Sequence, residues 1–317
     1  MGKDQHVRIG LLRESEIAEA GRIMRLAFGT FIGLANPLDF MSGREFFWPR
    51  WRSPHIKILA ARDGGRLIGT IMATRWGSFG LLGPLAVSPD YWNRGLAQRL
   101  FAAAVRVLDR WGVRQSGLFT FSNSPMHICL YQRYGYWPGY LTAIMKRAPA
   151  APMRRPTRGA KAPVLLSVLT RSERELAIAS CAKLTNRVER GLDLSDEIRA
   201  VVKQRTGEVL LVHERNSMGA FAVCMHGPGT EGGEKLCYVK FAAASSGERF
   251  ERLLDSIDAL ALTHGVEVEA GVSTACVDAF DRMRSRGYRL ENLGVAMQRP
   301  HGEGFTRPGA YVLGDWR

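Results

Sequence analysis

The feature that most restricts what this chain can fold into is a repetition. On either side of the proline- and arginine-rich stretch "APAAPMRRPTRGAKAP", Ala148 to Pro163, the same run of elements occurs. The stretch itself has no hydrophobic periodicity and reads as a linker. Before it, "VRIGLLRESEIAEAGRIMRLAF" reads as a strand and an amphipathic helix, and "IKILAARDGGRLIGTIMAT" as two strands about a turn at Asp63-Gly64-Gly65. "LLGPLAV" follows as a short buried strand, then a helix ending at Gly112, the strand "SGLFTF", a helix closed by Gly135 and the strand "YLTAIMKR". After the linker the order returns. "RLIGT" matches "NSMGA", "RLFAAAVRVLDRWGV" matches "RLLDSIDALALTHGV", and "YGYWPGYLTAIMKR" matches "RGYRLENLGVAMQR". The pattern predicts one fold made twice, over residues 1–147 and 164–317, joined by a linker at 148–163. Each half mixes a mostly antiparallel strand run with helices that cover a sheet, an α+β layered arrangement. Leu96, Leu100, Ala104, Leu108 and Trp111 stand at helical spacing, so the helix after "LLGPLAV" has one core face.

At 317 residues, 46% of them hydrophobic, the chain is long enough for two cores. No run of about 18 apolar residues points to a membrane span. The opening "MGKDQHVRIGLLRESE" lacks the apolar region of a secretory signal, so the expectation is a soluble cytoplasmic protein. Cys129, Cys181, Cys224, Cys237 and Cys276 show no metal-ligand spacing and read as buried small hydrophobes; no metal is expected. Residues 1–150 hold 20 Lys and Arg against 9 Asp and Glu, whereas residues 164–317 hold 20 against 21. A basic front half suits nucleic acid, an acidic protein or a polyphosphate-bearing cofactor. Its arginines are interleaved with apolar helix positions, which makes nucleic acid the weakest of the three.

Between "LLGPLAV" and its helix lies "VSPDYWNRGLAQRL", Val87 to Leu100. A helix start leaves N–H groups without intrahelical partners, and a Ser or Asp cap satisfies only one or two of them. An Asn-Arg-Gly-Leu-Ala entrance leaves several pointing outward, which suits an anion such as a diphosphate. Gly95 and Ala97 keep the backbone accessible, and Arg94 adds a charge. This strand, turn and helix resemble the acetyl-CoA-binding signature of the GNAT superfamily of acyl-CoA-dependent N-acyltransferases. In that signature a strand and a Val-x-Pro turn precede Q/R-x-x-G-x-G/A at a helix start. Here Pro89 lies in the turn, and Trp92, Asn93, Arg94, Gly95, Leu96 and Ala97 stand at the six motif positions. Trp92 departs from the usual Gln or Arg, which removes a side-chain donor from a cradle made mainly of backbone N–H groups.

Downstream, "NSPMHICLYQRYGY" resembles the second GNAT signature, an Asn before a helix carrying L-Y-x-x-x-G-[FY]. Ser124 fits an N-cap and Pro125 the first helical position. The resemblance implies that Asn123 bonds the pantetheine arm and that Tyr131, near the sulfur, is the general acid for the departing thiolate. It also implies that the backbone of Leu85, Ala86 and Val87 pairs with the pantetheine and polarises the thioester carbonyl. The implied reaction is direct attack of an amine on acetyl-CoA in a ternary complex. His127 lies one turn before Tyr131 on the same face, where a structural role is the simpler reading; Cys129 falls on another face. Glu14, Glu16, Asp39, Glu45 and His55 are equal candidates for the base, as is a water. Phe28, Phe31, Phe46, Phe47, Trp48 and Trp51 are candidates for the acceptor pocket.

The repeat supplies its own comparison. Aligning the helices on Gly112 and Gly265 sets Gly95 opposite Glu248 and Ala97 opposite Phe250, and aligning on Gly135 and Gly287 sets Tyr131 opposite Met283. A carboxylate repels a diphosphate and Met cannot donate a proton. The second half is therefore expected to keep the fold without the cofactor site. The function expected is N-acetyl transfer from acetyl-CoA to an amine, on a small molecule rather than a protein, with homodimerisation left open. The competing readings are a noncatalytic acyl-CoA-binding or protein-interaction module, and an acyl-CoA enzyme of the same fold that acts on a thiol.

Overall fold

The computed structural model describes residues 6–150, 163–214 and 217–316, so most of the expected linker lies outside the described residues. The front half runs β1 (Arg8–Leu11), α1 (Ile17–Phe31), α2 (Phe47–Trp51), β2 (Ile56–Asp63), β3 (Arg66–Trp76), β4 (Phe79–Val87), α3 (Leu96–Arg110), β5 (Gln115–Phe121), α4 (Pro125–Gln132) and β6 (Trp137–Arg147). The back half repeats this order as β7 (Val164–Leu165), α5 (Arg171–Val188), α6 (Ser195–Gln204), β8 (Gly207–Glu214), β9 (Ser217–Gly227), β10 (Gly233–Ala244), α7 (Gly247–His264), β11 (Glu267–Ser273), α8 (Val277–Ser285) and β12 (Arg289–Arg299). It then adds a short strand, β13 (Tyr311–Leu313).

Strands β3, β9 and β10 are buried along nearly their whole length, because helices cover both faces of the sheet. On the front half, α3 lays Leu96, Leu100, Ala104 and Leu108 on one face, as their spacing predicts. The approach is close: a Cβ on Gly69 would stand 3.1 Å from Leu100 Cδ1, and one on Gly80 would stand 2.8 Å from Leu108 Cδ2. Larger residues at either position would push α3 off the sheet. Among the described residues no helix is long and apolar enough to cross a membrane. Four cysteines are buried as expected, but Cys129 is exposed.

All the strands join one sheet, in the order β1-β2-β3-β4-β5-β12-β6-β11-β10-β9-β8-β7, with β13 on β10. The centre of that order shows an exchange. Strand β12 pairs antiparallel with β5, from Ser116↔Arg299 to Phe121↔Gly294, while β6 pairs with β11, from Thr142↔Ser273 to Arg147↔Val268. Strands β6 and β12 pair with each other between them. Each half therefore lends its last long strand to the other, and the two repeats interlock rather than sit side by side.

The seam between the halves also holds buried charge. Arg50 on α2 forms a two-pronged contact with Glu231, 2.8 Å on each prong, and Lys240 on β10 reaches the same carboxylate at 2.8 and 2.9 Å. All three side chains are at most 3% exposed. Nearby, His55 Nε2 and Trp76 Nε1 lie 3.0 and 3.1 Å from Glu197 Oε2. Burial alone would raise the Glu231 carboxyl, but Arg50 and Lys240 outweigh it and hold its pKa down at about 2.

Candidate functional site

Strands β4 and β5 run parallel, and their ladder is short. It spans only Phe79↔Gln115, Gly80↔Ser116 and Leu81↔Gly117. Beyond it, among the described residues, the rest of β4 pairs with β3 alone and presents an unpaired backbone edge. The β4–α3 loop turns through two left-handed residues, Asn93 (φ 60°) and Gly95 (φ 73°), and α3 starts without a side-chain cap. Among the described residues none accepts a hydrogen bond from the N–H groups of residues 93–98. Consecutive free N–H groups after such a turn form a concave anion site at the positive end of the helix. A coenzyme with a diphosphate and an amide-bearing arm fits this combination of cradle and open strand edge.

Two cavities open from this edge. One, of about 580 Å³, is lined by Leu85, Val87, Trp92, Asn93, Gly95, Leu96, Ala97 and one side of α4. The other, of about 530 Å³, lies between the halves, walled by Phe28, Phe40, Phe46, Phe119 and residues of the back half. Phe28, Leu85, Phe121, His127 and Tyr131 line both. The junction of the two cavities is thus an aromatic neck carrying one phenol and one imidazole.

Tyr131 is 8% exposed and packs against Phe101 with ring centroids 4.9 Å apart. Burial pushes its pKa up to about 12, with the Thr120 hydroxyl pulling the other way. It stays protonated at any working pH and is a hydrogen-bond donor held at the neck. His127 is half-buried, and burial lowers its pKa. Its Nδ1 lies 2.8 Å from Ser124 Oγ, and its backbone N–H caps on the same oxygen at 3.5 Å.

The expected site residues divide. Leu85, Val87, Trp92, Asn93, Gly95, Leu96, Ala97 and Tyr131 line the first cavity. Trp92 donates its indole N–H to the Val87 carbonyl at 2.7 Å, tying the loop to the end of β4. Ala86 turns its side chain into the core beneath α1 and pairs with Thr70. Arg94 bends back to the Asp90 carbonyl at 2.8 Å and lies over Tyr91. Asn123 is exposed and lines neither cavity; the helix is capped by Ser124. Cys129 does line the first cavity, although the helical face expected for it pointed elsewhere. None of the five candidate bases lines either cavity. Glu45 accepts from the N–H groups of Phe47 and Trp48, Glu16 pairs with Arg62, Asp39 with Asn36 and His55 with Glu197, while Glu14 is exposed. Of the aromatic candidates, Phe28 and Phe46 face the cavity between the halves and Phe47 is core.

The corresponding place in the back half is occupied. Strand β10 pairs with β11 over Leu236–Val239, and its next stretch, Ala242–Ala244, pairs with β13. Strand β13 therefore takes the edge that β4 leaves open. The loop is missing too: Ser246 follows β10 almost directly and caps α7 through the Arg249 N–H. Helix α7 starts two residues earlier than the alignment on Gly265 implies, and Phe250, opposite Ala97, is a core residue within it. Beyond β13, Trp316 stacks on Phe305 at 4.5 Å, covers Gly117 of β5 and joins the wall of the cavity between the halves.

The sequence model described as "Acetyltransferase (GNAT) family" matches residues 23–136, which include the β4–α3 loop and Tyr131. The front half carries a GNAT domain. Solved structures similar to the whole chain have the same tandem GNAT-like fold. A putative acetyltransferase from Pyrococcus horikoshii is 15% identical with a TM-score of 0.71, over 98% of this chain and 95% of that one. A GCN5-related N-acetyltransferase from Sphaerobacter thermophilus is 12% identical with a TM-score of 0.59, over 93% and 96%. A tandem GNAT protein from the clavulanic acid biosynthesis pathway is 12% identical with a TM-score of 0.57, over 92% and 98%. No curated protein matches the sequence. The GNAT fold supports acyl-CoA-dependent acetyl transfer as the general chemistry of the front half.

Proposed function

We propose that this protein is an acetyl-CoA-dependent N-acetyltransferase acting on an amine of a small molecule. The observation that carries the reading is the meeting of two cavities at Tyr131, beside the open edge of β4. Acetyl-CoA supplies the activated acyl group. The N–H groups of residues 93–98 hold its diphosphate, and the open edge of β4 at Leu85–Val87 pairs with its pantetheine arm. A β4 backbone N–H stabilises the negative charge that develops on the thioester oxygen. The cavity between the halves admits the amine, which forms the N–C bond as the C–S bond breaks. Tyr131 donates its proton to the departing sulfur. Incubation of a metabolite extract with labelled acetyl-CoA tests the reading. Label appearing on an amine supports it; binding of acetyl-CoA with no labelled product favours a noncatalytic module.

The back half, with β13 on its strand edge and Ser246 at its helix start, offers no second acetyl-CoA site in this reading. Calorimetric titration is expected to give one acetyl-CoA per chain; two would overturn the assignment. Gly95→Asp sets a carboxylate in the proposed diphosphate cradle. It is expected to weaken acetyl-CoA binding at least about tenfold, the equivalent of roughly 1.4 kcal/mol, while the left-handed backbone at this position costs the fold about 1 kcal/mol, a fall of about 2 °C in melting temperature.

A further inference from the structure

Direct attack leaves a proton on the acceptor nitrogen that must go somewhere, and the cavity walls restrict where. On the side between the halves the charged lining groups are Arg44, Arg50, Lys146, Lys235, Glu234, Glu267, Glu269 and Glu291. The four cations have no lone pair to offer. Glu269 is bound to Arg44 and Glu291 to Lys146, while Glu234 and Glu267 are exposed. On the other side the only charged lining group among the described residues is Arg133. Among the described residues, only His127 and Tyr131 can exchange a proton and also line both cavities. Tyr131 is held in its protonated form, which leaves the imidazole.

The surroundings of His127 suit a base. Phe31 of α1 packs against its ring at 4.8 Å in an edge contact, Phe121 of β5 lies at 6.5 Å, and Phe28 faces the same neck. Ser124 fixes the ring: an Nδ1–H donated to its Oγ leaves the lone pair on Nε2. The two side chains stand four residues apart on α4, hence on one face of the helix.

We propose that His127, oriented by Ser124, is the catalytic base that takes the proton from the attacking amine, while Tyr131 protonates the sulfur. The N–C bond forms, the C–S bond breaks, one proton passes from nitrogen to Nε2 and one from the phenol to sulfur. Exchange with water then returns both side chains to their starting forms, so the net result is one proton moved from nitrogen to sulfur. Burial keeps the imidazole neutral at pH 7, the form able to accept. Ser124 is a positioning residue here, since it acts through the ring.

The inference rests on the acetyltransferase reading, and the test separates the two. With an amine found by the labelling experiment, kcat at saturating acceptor is followed against pH for the wild type, His127→Gln, His127→Ala and Ser124→Ala, alongside calorimetry with acetyl-CoA. For His127→Gln the expected result is a fall in kcat of about a hundredfold, loss of the acidic limb and unchanged acetyl-CoA affinity. Added imidazole is expected to restore part of the His127→Ala rate, and Ser124→Ala to move the limb without abolishing turnover. A His127→Gln protein with the wild-type profile, or one whose loss of rate follows loss of acetyl-CoA binding, overturns the assignment of the base alone. A wild type that acetylates no amine overturns both.

Discussion

Tyr131→Phe is expected to lower kcat about a thousandfold, within the range for loss of a positioned general acid, and to leave the dissociation constant of acetyl-CoA nearly unchanged. The substitution removes one oxygen from a side chain whose ring already has its place against Phe101. Packing is kept, and the Thr120 hydroxyl loses a partner at a cost of about 1 kcal/mol. The affinity of the cradle and the strand edge does not depend on the phenol, so binding and turnover separate. The pH dependence follows from the same burial. With a pKa of about 12 the phenol is protonated throughout the accessible range, and Tyr131 contributes no basic limb to kcat below about pH 10. Single-turnover kinetics with labelled acetyl-CoA checks both parts. Wild-type rate in Tyr131→Phe would remove Tyr131 from the chemistry.

The features on which the proposed cofactor side rests are local in the sequence. A glycine entrance to a helix without a side-chain cap, and a tyrosine one turn past His127, sit within short windows; the left-handed backbone at Asn93 and Gly95 is added by the structure. The misplacements at Asn123 and Arg94 are also local. Ser124 caps α4 where the sequence put the cap, but Asn123 before it is exposed, and the long Arg94 side chain turns to a carbonyl on its own loop. The wall between the halves was not legible. It is built from residues such as Glu234 and Trp316, which reach the cavity through pairings distant in sequence. The exchange of β6 and β12 could not be read either, because strand patterning tells which face is buried and not which strand is the neighbour. Three residues, Tyr311–Leu313, are too short for any periodic signal, yet they decide which half keeps an open strand edge.

The buried charges at the seam were likewise hidden, since Arg50 meets Glu231 and Lys240 only through a pairing distant in sequence. Their burial sets the other large expected effect: Glu231→Ala should destabilise the chain by about 3–5 kcal/mol. The substitution leaves two cations with exposures of 3% and 2% facing each other without a counter-charge. In a chain of this size that is roughly a 5–7 °C fall in melting temperature. Replacing Arg50 with Met in the same chain should recover part of the loss, because an apolar side chain removes one of the stranded charges. The wild-type pH dependence has a definite sign. A carboxyl held at about 2 in the fold and near 4.3 when unfolded stabilises fully above about pH 5. That contribution, about 3 kcal/mol, is lost as pH falls from about 5 toward 2. Glu231→Gln lacks this titration, so its urea midpoint should fall less steeply over that window than the wild type's. Equal slopes would mean that Glu231 does not hold the two halves by its charge, leaving the exchanged strands as the main tie.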